Sequence, residues 1–183
     1  MTKGILFLAA VMFFLAFFMG CAAPGPQNGT GTGANGSLAS GATQLPLAKS
    51  AEYATVDGIS FIPPDGFIKT KDGEYFALAN GKVCLFSVSG FAMPSDRVLE
   101  LDALGSSVAA SIQKAGGKVE AISNSRFNSH DALELNVSMG GVDQKQVILQ
   151  LKRNFALVGY GTAYACRNYM QAVLGSISSL KDA

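Results

Sequence analysis

The segment Glu74–Ser89, with the sequence EYFALANGKVCLFSVS, decides the fold because two apolar runs flank Asn80-Gly81. Asn-Gly is the preferred dipeptide of two-residue hairpin turns, since both residues accept a positive φ. The spacing therefore predicts two antiparallel strands, Glu74–Ala79 and Lys82–Ser89. Consecutive positions of the second strand, Val83–Phe86, are all apolar, so we expect that strand to be central and covered on both faces.

Shorter strands precede this hairpin and are separated by turn sequences. Tyr53–Val56 and Ile59–Ile62 flank Asp57-Gly58, which is a second tight-turn dipeptide. Pro63-Pro64-Asp65-Gly66 predicts another turn, because proline fixes φ and glycine accepts a positive φ. Phe67–Lys69 is a further candidate strand.

Helices and strands follow the hairpin. A helix is predicted from a cap at Ser95, with Pro94 just outside it, to Gly116-Gly117, with apolar residues at helical spacing between them. Four strands come next, at Val119–Ser123, Ala132–Ser138, Gln144–Arg153 and Phe155–Ala165. A closing helix, about Asn168–Lys181, carries Met170, Val173, Leu174, Ile177 and Leu180 on one side. This order predicts an α+β fold, an antiparallel β-sheet flanked by helices, in one domain over residues 51–183.

The beginning of the chain has the layout of an export signal. Lys3 is followed by Ile5–Met19, in which every residue is apolar, and then by Gly20-Cys21. This run is shorter than the roughly 20 residues that a membrane-spanning helix needs, and the order basic, apolar, small is typical of a cleaved signal peptide. We therefore expect residues 1–20 to be removed. Residues 22–50 are rich in Gly, Ala, Ser, Thr, Asn and Pro, which predicts a flexible tether with a reach of roughly 30 Å.

The sequence around Cys21 resembles the lipobox of bacterial lipoproteins, in which a small residue precedes the cysteine that is lipidated. Gly20 and Cys21 match this pattern, whereas Phe18 and Met19 are larger than its usual residues. The resemblance implies that residues 21–50 are a lipidated cysteine and tether that hold the domain to a membrane. It also implies a periplasm-facing location, with the outer membrane favoured because Ala22 is not the Asp of an inner-membrane retention signal.

The order of elements resembles the PsbP-like superfamily, which includes the bacterial lipoprotein DcrB. The resemblance rests on Ile59–Phe67 at the start, on Ile177–Leu180 at the end, and on the strands and helices between them. Members often have Trp where this chain has Phe67. The family implies an α/β/α sandwich, partner binding or assembly support, and no catalytic residues.

No catalytic or metal-binding pattern stands out. His130 is the only histidine, and its neighbour Asp131 would point to the opposite face of a strand, so we expect a solvated histidine in a turn. The serines lack the GxSxG elbow of hydrolases. After Cys21 the chain has 13 Lys and Arg residues, because Lys3 is one of 14, against 13 Asp and Glu residues. This zero net charge argues against nucleic acid as a partner.

Two cysteines remain after Cys21, namely Cys84 in a predicted strand and Cys166 at the end of the last one. An exported location permits a disulfide between them, but a buried free thiol is equally compatible with the sequence. The aromatic residues near turns form a second open question. We expect most of them to pack in the core, and any that are exposed together to mark a binding surface: Phe67, Tyr75, Phe76 and Phe91, with Met93 beside the last.

The sequence thus favours a non-enzymatic, membrane-anchored domain that binds a protein or another envelope component, without a cofactor. A small-ligand carrier or sensor, with a pocket between sheet and helix, is the alternative. A hydrolase is a weaker alternative, because no nucleophile or acid–base pair is visible.

Overall fold

The computed structural model of the chain describes residues 52–93 and 100–183. The predicted signal peptide, Cys21, the tether and the predicted cap Ser95 lie outside the described residues. The strands are β1 (Ala54–Val56), β2 (Ile59–Phe61), β3 (Ile68–Lys71), β4 (Glu74–Ala79), β5 (Lys82–Ala92), β6 (Lys118–Phe127), β7 (His130–Met139), β8 (Val142–Gln150), β9 (Asn154–Gly161) and β10 (Lys181–Asp182). The helices are α1 (Leu101–Lys114), a 3₁₀ helix (Tyr164–Tyr169) and α2 (Met170–Ser178).

The main sheet has seven antiparallel strands in the order β3-β4-β5-β9-β8-β7-β6. The predicted turns join its neighbours: Asn80 and Gly81 have φ values of 50° and 72°, and Gly140 and Gly141 have values of 57° and 77°. Both pairs take the left-handed region that a two-residue hairpin requires. The fold class predicted from the sequence is therefore confirmed.

A small sheet of three strands, in the order β1-β2-β10, brings the two ends of the described domain together. β1 and β2 pair across Asp57-Gly58, and β10 adds to the other side of β2. The last residues are held by side chains as well. Asp182 accepts hydrogen bonds from the Arg153 backbone N–H at 3.1 Å and from Asn154 Nδ2 at 2.8 Å.

The core has two layers, one on each face of the main sheet. The small sheet and α2 cover the first face, where Phe61, Phe86 and Ile177 are fully buried. α1 covers part of the second face and packs on β7 and β8 through Leu104, Val108 and Ile112. This helix lies close to the sheet at Gly105, where a Cβ atom would come within 2.5 Å of Leu133 Cδ1.

The end of the chain corrects three predictions. β9 ends at Gly161 rather than Ala165, so Cys166 lies in the 3₁₀ helix and not on a strand. The closing helix is Met170–Ser178, shorter than the predicted Asn168–Lys181. Lys181 belongs instead to β10, which was not predicted. Leu180 is still buried, because the chain turns back onto β2 directly after α2.

Within the part of the chain that the structure describes, no helix is long and apolar enough to cross a membrane.

Candidate functional site

Within the described residues, one face of the main sheet is only half covered by a helix. Phe91 of β5 and Phe155 of β9 pair opposite each other and stack at 5.5 Å under the α1 side of this face. Every second residue of β5 lies on the same face of the sheet as Phe91. Toward the start of the strand, this face includes Leu85 and Val83, which lie farther from α1. The pairing with β4 then adds two residues to that row, since Phe76 faces Leu85 and Leu78 faces Val83.

We call this half of the sheet the open face and define it by five residues: Ile68, Phe76, Leu78, Val83 and Leu85. Ile68 lies opposite Phe76 across the β3–β4 pair and therefore belongs to the same surface. The exposed fractions of Ile68, Leu78 and Val83 are 62%, 63% and 49%, whereas Phe76 and Leu85 are half-buried. Large aliphatic side chains scattered singly are ordinary on a surface, but a contiguous group marks an interaction site.

The exposure of Val83 corrects the prediction that β5 is covered twice. β5 is internal to the sheet, because β4 and β9 pair with its two edges. Its other face is buried through Cys84, Phe86 and Val88. The consecutive apolar residues of this strand therefore face the core on one side and the open face on the other.

The far side of the same strands is held by the disulfide Cys84–Cys166, whose Cα atoms are 5.6 Å apart. The disulfide joins the middle of the hairpin to the 3₁₀ helix. Tyr169 of that helix donates a hydrogen bond to the Leu78 carbonyl at 3.2 Å and packs edge-on against Phe67, with ring centroids 5.2 Å apart. The strands that carry the open face are thus held in place by contacts on the other face of the sheet.

Beyond the open face, where β9 pairs with β8, the same face of the sheet carries small and polar residues. β9 contributes glycine there, and a Cβ atom at Gly161 would meet nothing within 4 Å. Gln144 lies opposite Gly161 and is only 2% exposed. Neither its Oε1 nor its Nε2 atom has a hydrogen-bond partner among the described residues. A buried amide without partners is costly, so this position suits a group that can both donate and accept a hydrogen bond.

Charge is confined to the rim of the open face. Lys71 and Glu74 form an ion pair at 2.8 Å at its edge, and the second carboxylate oxygen of Glu74 is buried without a hydrogen-bond partner in residues 52–93 and 100–183. The centre of the surface consists of aliphatic and aromatic carbon. An apolar centre with a polar rim is the usual anatomy of a protein–protein interface.

A separate polar cluster lies on the opposite face of the sheet. Lys145 donates to Glu134 at 2.5 Å, and both side chains are more than two-thirds buried. Burial raises the pKa of Glu134, but the hydrogen bonds from Lys145 and Ser125 lower it further, so its pKa lies below the ordinary value. Tyr160 pairs opposite Lys145, and burial, together with the charge of Glu134, raises its pKa to about 12.

The aromatic residues singled out in the sequence mostly pack in the core. Tyr75 is buried, Phe67 packs against the core, and Phe91 and Met93 lie beside the α1 cluster. Phe76 is the one member of that group on the open face. Sequence reasoning missed the exposed aliphatic residues, although the Asn80-Gly81 register already places Leu78 beside Val83.

The remaining candidates do not assemble into a reaction centre. His130 is the first residue of β7, half-buried and paired with Phe127, rather than a solvated turn residue as predicted. Over residues 52–93 and 100–183, no group of three or more His, Cys, Asp or Glu side chains could hold a metal ion. The structure thus offers a surface for binding as its main candidate site.

Comparison with known proteins agrees at the level of the fold. No protein-family model matches the sequence, and no curated protein matches it. The solution structure of cyanobacterial PsbP (CyanoP) from Synechocystis sp. PCC 6803 superposes with a TM-score of 0.50 at 15% identity, over 78% of this chain and 99% of that one. A Pseudomonas aeruginosa protein of unknown function, PA94, matches with a TM-score of 0.42 at 15% identity, over 69% and 93% of the two chains. The likeness to CyanoP shows that this chain has a PsbP-like fold.

Proposed function

We propose that this chain is an exported lipoprotein, anchored through Cys21, whose domain binds a protein partner through the open face and catalyses no reaction. The order of Lys3, the apolar run Ile5–Met19 and Gly20-Cys21 supports the anchor. More than one acyl chain on a cysteine gives stable membrane attachment, whereas a single chain binds only marginally.

The observation that carries the binding role is the exposure of Ile68, Leu78 and Val83 on one side of a rigid sheet. Leaving such side chains in water forgoes about 25 cal/mol for each Å² of apolar surface that could be buried. A partner that covers the surface recovers this free energy. The PsbP-like fold is compatible with a non-catalytic role, but a shared fold does not specify a partner.

The position of the open face beside α1 favours an amphipathic helix as the partner element. α1 already covers β7 and β8 on this face, so a second helix beside it would complete the layer over β3, β4 and β5. A helix lying in an apolar groove is a common mode of peptide recognition. Lys71 and Glu74 at the rim could pair with charged residues on the polar side of such a helix.

A small-ligand carrier is the second candidate, and Gln144 is the observation that favours it. Its unpartnered amide beside Gly161 could bind a compact molecule that has a donor and an acceptor on an apolar body. Native mass spectrometry of the purified chain would detect such a ligand as a discrete added mass. Gln144→Leu should then remove that mass, whereas a protein partner would tolerate the change better than Val83→Lys.

The proposal is tested by site-specific photo-crosslinking of the anchored chain in its host membrane. A photoreactive amino acid at position 78 should give one discrete crosslinked product. The same amino acid at position 83 should give a product of the same size as the product from position 78. The matched control is position 164, because Tyr164 is 75% exposed but lies on the 3₁₀ helix away from the open face. Metabolic labelling with a palmitate analogue should mark the chain, and Cys21→Ser should abolish the label.

Val83→Lys, introduced beside a crosslinker at position 78, should abolish the product without changing the melting temperature by more than a few degrees. Equal products from positions 78 and 164, or none from position 78, would contradict a protein-binding open face. Crosslinks to phospholipid alone would identify the surface as membrane-facing. Label that survives in Cys21→Ser would refute the anchor independently of the binding surface.

A further inference from the structure

The two edges of the main sheet are built differently. β3, at one edge, has four residues, two of which are lysines, and its pairing with β4 is irregular between Lys69 and Lys71. Short length, lysine and irregular pairing are the features that protect a sheet edge from pairing with another chain. β6, at the other edge, has ten residues and pairs in regular register from Ala121 to Phe127.

β6 is also exposed along most of its length. Most of its side chains are exposed, and Ile122 is 48% exposed on the side that α1 partly covers. One edge of the strand pairs with β7, and the order of the sheet gives the other edge no neighbouring strand within the described residues. Its outer backbone N–H and C=O groups are therefore available for a further strand.

The sequence of β6 is complementary to itself in one antiparallel register. A twofold axis through Ser123 would place Glu120 of one copy opposite Arg126 of the other, and this ion pair would occur twice. Within each copy Arg126 already pairs with Asp131 at 2.8 Å and Glu120 with Lys118 at 3.5 Å, so the pairs between copies would extend two exposed charge pairs. Glu120 is the extra residue at the irregularity between Val119 and Ala121, so it lies just outside the regular segment and can reach across. Opposite charges in cross-strand positions stabilise a sheet, whereas like charges destabilise it.

Neighbouring registers lack this match. The outward backbone groups alternate along the strand, so a symmetric antiparallel pair must have its axis at a residue. An axis through Ile122 would set Lys118 against Arg126, and an axis through Asn124 would set Ile122 against Arg126. Only the axis through Ser123, of these three, pairs opposite charges and places the two Ile122 side chains diagonally on the same face, within contact range.

We propose that two copies of this chain associate through β6, with the axis at Ser123, so that the two main sheets continue into one another. The open face lies at the far end of each sheet and stays free in such a dimer. Two lipid anchors and two binding surfaces would then act together, and linked sites bind more tightly than single ones.

Disulfide trapping in the full chain tests the register directly. Residues 123 of the two copies would have Cα atoms about 4.5–5.5 Å apart, which is within the range of about 4.4–6.8 Å that a disulfide needs. Ser123→Cys should therefore give a reducible dimer on oxidation. Ser125→Cys is the matched control, because its two copies would lie about 14 Å apart along the strand. The unaltered chain measures any background from its own cysteines.

Charge reversal tests the proposed ion pair between Glu120 of one copy and Arg126 of the other. Glu120→Arg should weaken dimerisation about 2- to 30-fold through the loss of two cross-strand pairs, as should Arg126→Glu. A mixture of these two variants should restore association, since each supplies the charge that the other lacks. Melting temperatures would show whether either variant is misfolded.

Equal trapping at positions 123 and 125, or none at position 123, would overturn the proposal. So would two reversed variants that associate no better when mixed than when alone.

Discussion

At the scale of single residues, the polar cluster around Glu134 shows how this sheet accommodates charge. Glu134 and Lys145 lie on the adjacent strands β7 and β8, and their side chains are 18% and 28% exposed. An ion pair in this position is stable because each group satisfies the other, whereas either group alone would be left partly desolvated. Burial, together with the charge of Glu134, raises the pKa of Tyr160 beside the pair to about 12.

The pH dependence of this pair follows from the lowered pKa of Glu134. A carboxylate whose pKa is lower in the folded state stabilises the protein above its unfolded pKa of about 4.3, and this stabilisation is lost as the pH falls through the folded pKa. Glu134→Gln should therefore lower the free energy of unfolding by about 1–3 kcal/mol at pH 7. The difference between the two proteins should shrink below about pH 4.

Urea unfolding at pH 7, 5 and 3 measures this difference. Glu52→Gln is the control, because Glu52 is exposed; a surface change of this kind alters stability by no more than about 0.5 kcal/mol. If Glu134→Gln lowers the free energy of unfolding by the same amount at all three pH values, the ionised carboxylate is not what stabilises the fold.

The residues of the open face also show what a local pattern can and cannot predict. Asn80-Gly81 fixed the register of the hairpin in advance, and with it the side-by-side positions of Leu78 and Val83. Whether a helix covers Leu78 and Val83 depends on where α1 packs, and α1 packs on β7 and β8, away from the hairpin. Alternation along a strand contains no information about that placement.

At the scale of elements, the region after β9 departs most from the sequence pattern. The run Phe155–Ala165 is apolar enough to predict a strand throughout, yet the chain leaves the sheet after Gly161 and forms the 3₁₀ helix. The disulfide to Cys84 lies in that helix, and it is a tertiary link that no local propensity contains. α2 follows directly, so the predicted closing helix begins two residues later than expected.

α2 depends on its docking against the sheet, since an isolated helix of this length is marginal in water. Val173 and Ile177 are buried in the core, and Ile177 is 1% exposed. Ile177→Ala should lower the free energy of unfolding by about 2–5 kcal/mol, the usual cost of emptying a packed core site. Gln171→Ala, on the exposed side of the same helix, should change it by less than about 0.5 kcal/mol.

Chemical unfolding followed by circular dichroism measures both variants. If Ile177→Ala leaves stability unchanged, the apolar side of α2 is not part of the core that holds the helix, and the burial seen in the fold is not what stabilises it.

The disulfide should stabilise the domain by restricting its unfolded state. Cys84 and Cys166 are 82 positions apart in sequence, and closing a loop of that length removes chain entropy worth about 4–5 kcal/mol at 25 °C. Replacing both cysteines by alanine should lower the free energy of unfolding by an amount of that order. Reductant should lower the stability of the unaltered chain similarly and leave the double variant unchanged; an effect of reductant on the double variant would assign the loss to another site.

At the scale of the whole molecule, the layered architecture was accessible from the sequence, whereas the open face was not. The turn dipeptides and the two helical stripes sufficed for an antiparallel sheet flanked by helices, because each is a local signal. β10 was missed because a two-residue strand has no periodicity, and its pairing with β2 joins residues from opposite ends of the domain. The open face is likewise a property of the assembled layers.

The shared fold sets a limit on what can be carried over from other proteins. CyanoP shares the fold at only 15% identity. At that distance the chain can retain a backbone arrangement while every surface residue has changed. The proposed role of the open face must therefore be argued from Ile68, Leu78 and Val83 themselves.

The disulfide also determines how the domain would respond to mechanical load. If the chain is anchored through Cys21 as proposed, a pull on the anchor would reach the described domain at β1. While the disulfide is intact, a pull between the two ends of the domain can unravel only the segments outside the Cys84–Cys166 loop. The disulfide keeps the 82 positions within the loop from extending. Fully extended, that segment would measure roughly 270–300 Å. Reduction of the Cys84–Cys166 disulfide would release that length. The greatest extension of the stretched domain would therefore depend on the redox conditions around it.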